Sequence, residues 1–94
     1  MNLTEEQLKE VENAAYLLIP PGWVAISLEV DQQEFWTELR TLNTPINKAY
    51  NTGYLRQLTE TRAAIIKSAH NGSNPAQLEV MRYFLDIERR LAYE

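Results

Sequence analysis

Residues 44–75 read TPINKAYNTGYLRQLTETRAAIIKSAHNGSNP, and this stretch decides the fold. Thr44 offers a capping oxygen, and Pro45 fills the first helical turn, where its missing amide costs nothing. Beyond them Ile46, Ala49, Tyr50, Tyr54, Leu55, Leu58, Ile65, Ile66 and Ala69 recur at helical spacing as far as His70. The spacing predicts a helix of about 26 residues, roughly 39 Å long at 1.5 Å per residue. Asn71-Gly72 ends it, because glycine takes the left-handed conformation freely. Asn74-Pro75 then opens a second helix to about Ala92. A long helix, a tight turn and a return helix make an antiparallel hairpin over residues 44–94. Gly53 lies inside the first arm at a cost of about 1 kcal/mol relative to alanine, which points to a kink or a close helix contact.

The return helix carries two apolar lines. Leu78, Met81 and Leu85 lie on one, with Glu88, and Val80, Phe84, Ile87 and Leu91 on the other. Together they are wider than one partner helix needs.

Upstream, Thr4 with Gln7 forms a capping box, and Leu8, Val11, Ala15 and Leu18 follow at helical spacing. The first helix is expected over Glu5 to Leu18, stopped by Pro20-Pro21-Gly22. A short helix from Pro21 to Leu28, with Trp23, Ile26 and Val30 inward, competes with a strand over Trp23-Val24-Ala25-Ile26. Helix is preferred, because the chain offers no strand partner. Asp31 with Glu34 caps a third helix to Arg40, with Phe35, Trp36 and Leu39 as its apolar side. The expected class is all-α. The expected organisation is a single helical domain over 1–94, with acidic short helices in 1–43 and the hairpin in 44–94.

The chain has 94 residues, 45 % of them hydrophobic, enough for one core. Without cysteine it has no disulfide and no thiolate metal site, which fits a reducing, cytoplasmic setting. The start, Met1-Asn2-Leu3-Thr4-Glu5-Glu6, is too polar for a signal peptide, and no apolar run is long enough for a membrane span. The formal net charge is −4. Residues 1–39 hold eight acids and one base, Lys9, whereas residues 40–94 hold eight bases and five acids. Such an acidic head on a mildly basic body steers nucleic acid to the body, or lets the head of one subunit meet the body of the next.

Catalytic ingredients are sparse. His70, the only histidine, reads as a helix C-terminal cation rather than a ligand, since a metal site needs several convergent donors. There is no glycine-rich phosphate loop. The carboxylates read as a solvated helix face or as caps, and no serine has a base placed beside it. No catalytic, cofactor-binding or metal-binding residue is assigned, and the chain reads as a non-enzyme.

Two constellations remain. Val24-Ala25-Ile26-Ser27-Leu28-Glu29-Val30-Asp31 has the spacing of a helix-turn-helix, with a small alanine at the crossing and Gln32 to Arg40 in the recognition position. Two short helices packed as core is the competing reading. Glutamate stands at Glu29, where the turn favours glycine. The recognition helix carries Glu34 and Glu38 against Arg40, and carboxylates repel phosphate. Trp36, Tyr50, Tyr54 and Tyr83 read as core or interface anchors more readily than as stacking platforms for bases.

The second constellation is an order of features: short helices, an acidic helix containing Phe35, Ala49-Tyr50-x-x-Gly53, a long helix with Arg62, then Ala69-x-x-Gly72-x-x-x-Ala76-Gln77. In this layout the chain, from Val24 to about Leu85, resembles the small terminase subunits of tailed phages and prophages. The resemblance implies an all-helical, non-enzymatic subunit that assembles into rings, binds viral DNA and recruits the large packaging motor. It maps the helix-turn-helix to Val24–Arg40 and the assembly core to Ile46–Leu91. DNA contacts are then expected at Arg40, Lys48 and Arg56, the last two eight apart and near one helix face. The homo-oligomer interface is expected at Tyr50, Tyr54, Leu58, Val80, Phe84, Ile87 and Leu91. The alternatives are a dimeric helix-turn-helix transcriptional regulator, and a protein-only interaction module working through the acidic first helix.

Overall fold

The computed structural model describes residues 1–93. Among them the chain is all-helical: α1 (Glu5–Tyr16), α2 (Pro21–Ser27), α3 (Gln32–Arg40), α4 (Pro45–His70) and α5 (Asn74–Tyr93). Two compact units form, Met1–Leu58 and Thr59 onward, so the dividing point falls within α4.

Side-chain oxygens start every helix but α2, which opens on Pro20-Pro21 without a side-chain cap. Thr4 and Gln7 make the reciprocal capping box of α1. The Glu34 N–H donates to the Asp31 carboxylate at 2.8 Å, and the Asn47 N–H donates to the Thr44 hydroxyl at 3.1 Å. At α5 the cap is Ser73, whose hydroxyl accepts from the Ala76 N–H, with Asn74 as first helical residue.

Three helices end in the same way. In each, the chain leaves through one left-handed residue, and the amides of that residue and the next fold back onto the last turn. At α1, Leu18 (φ 61°) and Ile19 donate to the carbonyls of Ala15 and Ala14. At α2, Glu29 (φ 57°) and Val30 donate to Ile26 and Ala25. At α4, Gly72 (φ 98°) and Ser73 donate to Ala69 and Ser68. Leu18 therefore lies just beyond α1, and the expected helix end moves back to Tyr16.

In the first unit Val11, Val24, Ala25, Phe35 and Ile46 form the core, with Leu8, Ile19, Leu28, Leu39 and Tyr50 among the residues around it. The phase of α2 differs from the sequence reading. Val24 and Ala25 are buried, whereas Trp23 is 65 % and Ile26 59 % exposed. The reason is the packing of α2 on α3: Val24 and Ala25 join Phe35 in one core cluster, and a seven-residue helix has only one inward stripe.

Helix α1 meets the N-terminal half of α4 backbone to backbone. A Cβ built on Gly53 would lie 2.0 Å from the Glu12 carbonyl oxygen and 3.1 Å from the Tyr16 nitrogen. The contact is therefore the close helix approach that Gly53 hinted at. One turn to either side, α4 satisfies the Tyr16 carbonyl at the end of α1 and the Ile19 carbonyl in the turn beyond it. The Tyr50 hydroxyl donates to the Ile19 carbonyl at 2.9 Å, and the Gln57 amide donates to the Tyr16 carbonyl at 2.8 Å. Arg56 adds an ion pair to Glu12 at 3.5 Å and lies 4.5 Å over the Tyr16 ring.

In the second unit α5 returns along the end of α4. The Gln77 side-chain amide donates to the Ala69 carbonyl at 3.2 Å, and Arg62 lies 4.3 Å over the Tyr83 ring. Stepping back along α4 thus steps forward along α5, as in an antiparallel pair. No residue of α5 is buried. Leu78, Met81 and Leu85 stay exposed on one line, and Phe84, Ile87 and Leu91 on the other.

Two substitutions check this account by chemical denaturation. Gly53→Ala gains about 1 kcal/mol of helix propensity but forces a methyl into backbone, and a net loss of about 1–3 kcal/mol is expected. Glu29→Gly relieves a left-handed side chain and should stabilise by about 1 kcal/mol.

Candidate functional site

Helix α3 presents a polar face because its inward side is fixed by Phe35, fully buried, and Leu39, partly buried. At 100° per residue, Gln33, Thr37 and Arg40 fall opposite that pair. The Arg40 guanidinium lies 4.7 Å over the Trp36 ring, held one turn back along the helix. Glu34 and Glu38 project from a neighbouring stripe, where the Met1 amino nitrogen stands 3.5 Å and 3.4 Å from their carboxylate oxygens. The acids of α3 therefore form a stripe beside, rather than within, the line of Gln33, Thr37 and Arg40, with Glu34 about 60° from Thr37 around the helix.

The three cations expected to contact DNA differ in setting. Arg40 is exposed at the end of α3, and Lys48 is exposed on the first turns of α4. Arg56 is engaged with Glu12 and Tyr16 and helps to hold α1 against α4.

The residues expected at an oligomer interface separate in the same manner. Tyr50 is half-buried against the core and donates to Ile19, so its hydroxyl serves the protomer. Tyr54 is exposed and Leu58 half-buried. Val80 is half-buried, whereas Phe84, Ile87 and Leu91 are exposed on α5. Val80, Phe84 and Ile87 line a shallow groove of about 300 Å³ with Ile66, Tyr83 and Arg62. The Arg62 Nε in it is buried and has no hydrogen-bond partner among the described residues.

A second groove, of about 450 Å³, lies in the first unit, where Leu17, Trp23, Val24 and Leu28 meet Glu10 and Asn13. His70 is exposed at the end of α4, and among the described residues no three histidine, aspartate or glutamate side chains gather as metal donors. No helix of the described residues is long and apolar enough to cross a membrane.

The sequence reading missed Gln33 and Thr37, although the helical phase of Phe35 and Leu39 locates them outside. It also missed the exposure of Trp23, for which no sequence signal existed, since that residue completes a helical apolar pattern. Comparison with protein-family models, with curated proteins and with solved structures finds no match to the chain.

Burial, and secondarily the nearby Tyr54, raises the Tyr50 phenol above its ordinary value of 10.0. The neutral phenol is thus favoured in the folded state. Its contribution to stability is complete below pH 10.0 and lost as the pH climbs through the folded value. Denaturation midpoints should fall more steeply above that pH in the wild type than in Tyr50→Phe, which also loses the bond to Ile19.

Proposed function

We propose that the chain is a non-enzymatic, self-assembling DNA-binding subunit of the small-terminase type, which engages viral DNA and recruits a packaging motor. The observation that carries this reading is the outer face of α3, held out by a tight α2–α3 pair. Gln33, Thr37 and Arg40 lie along it, residue types that match the major-groove edges of adenine, thymine and guanine. The left-handed turn at Glu29 supplies the local geometry that a helix-turn-helix wants at that position. The acids that argued against a recognition helix, Glu34 and Glu38, lie on the adjacent stripe rather than within this line, beside the Met1 amino group. Lys48 adds an exposed cation for phosphate. The uncovered apolar lines of α5 support self-assembly, because a lone protomer leaves them in water. The reading needs no cofactor and no catalytic step.

A protein-only interaction module is the second reading. It is favoured by the internal engagement of Arg56, which removes one of the three expected phosphate contacts.

Fluorescence anisotropy with labelled duplex across a salt series separates the two. Under the DNA-binding reading, affinity falls as salt rises, and Arg40→Ala weakens binding while Arg56→Ala changes mainly stability. Loss of one phosphate contact at Lys48→Ala should lower the salt slope by about one. Absence of any salt-dependent affinity would leave the protein-only module standing.

A further inference from the structure

The groove of the second unit joins apolar walls to one unsatisfied cation. The walls come from Ile66 on α4 and from Val80, Phe84 and Ile87 on α5, with Phe84 59 % and Ile87 49 % exposed. Arg62 is the one charged side chain among the residues that line it. The Tyr83 ring attracts the Arg62 charge from 4.3 Å, yet the buried Nε finds no acceptor among the described residues. Nor does a described carboxylate pair with Arg62. The arginine bridges run instead from Arg56 to Glu12, from Arg82 to Glu79 and from Arg90 to Asp86. A half-buried guanidinium thus stands in an apolar setting without a counter-ion, which costs free energy until an acceptor arrives.

We infer that this groove binds a small apolar monocarboxylate, its tail on Ile66, Val80, Phe84 and Ile87 and its carboxylate accepting from the Arg62 guanidinium. Charge complementarity selects the head group. One cation balances one anionic charge, whereas a phosphate dianion would stay half-neutralised against apolar walls. The planar guanidinium fork also matches the two oxygens of a carboxylate. Size selects a small molecule over a protein. The groove holds about 300 Å³, the low end for small-molecule pockets. Six residues line it, where a protein partner covers about 20–30 on each side. The inference goes beyond the proposed function and needs neither DNA nor a second copy of the chain.

The test titrates octanoate into the nitrogen-15-labelled full chain, with octanol and octyltrimethylammonium as neutral and cationic matches of the same tail. Two-dimensional NMR reads the backbone amides and the arginine Nε–H resonances. Expected are shifts at the groove residues and at the Arg62 Nε–H, with octanoate bound about tenfold more tightly than octanol and the cationic match weakest. Arg62→Met keeps an apolar stem without the charge and should bring octanoate down to the octanol level, with circular dichroism as the folding control. If that variant loses helicity, Ile87→Asp replaces it: a carboxylate on the half-exposed wall occupies Arg62 and should abolish octanoate binding. Equal affinity for octanoate and octanol in the wild type would reduce the groove to an apolar patch and overturn the inference. So would shifts confined to the first-unit groove around Trp23, or no octanoate binding at all. A peptide carrying one glutamate among leucines that binds where octanoate does not would overturn it in favour of a protein partner.

Discussion

The approach of α1 to α4 at Gly53 is the constraint on which the first unit depends. Two helices normally keep their axes 8–10 Å apart because side chains stand between them. Here a glycine on one helix faces the backbone of the other, with no room for a methyl group. That proximity brings Gln57 within reach of the Tyr16 carbonyl, which the end of a helix would otherwise leave to water, and Tyr50 within reach of the Ile19 carbonyl in the following turn. Burial of Val11 and Ala15 follows from the same closeness. The loss of helix propensity at Gly53 is thus offset by a clamp of three successive turns.

Much of this architecture was legible in the sequence because its signals are local. Thr4, Asp31 and Thr44 cap the helices they were expected to cap, and Gly72 takes the left-handed conformation it was expected to take. What was not legible depends on partners far along the chain. The pattern of α2 admits either Trp23 and Ile26 or Val24 and Ala25 as its inner side, and only contact with Phe35 on α3 decides between them. Gly53 announced an anomaly, but its partner, the Glu12 carbonyl, could not be read from a one-dimensional pattern. The turn at Glu29 failed the glycine expectation while keeping its geometry, because two returning hydrogen bonds to α2 hold the residue left-handed.

The candidate surfaces illustrate a similar limit. Net charge alone made α3 an unpromising partner for phosphate, since composition counts carboxylates without asking where they point. Resolved by helical phase, its acids and its amide, hydroxyl and guanidinium groups fall on separate stripes. Arg56 shows the reverse case. By sequence it is one more cation on a basic helix, whereas the structure sets it against Glu12 and Tyr16, in service of the fold.

The uncovered ridge of α5 has a consequence for how much of this protein a cell can hold. A freshly made chain with Leu78, Met81 and Leu85 in water presents the kind of surface that chaperones retain and proteases sample. Any molecule that shields the ridge withdraws the chain from that surveillance. A covered ridge and a bare one would thus differ in lifetime as well as in solubility, through the fraction of chains open to capture.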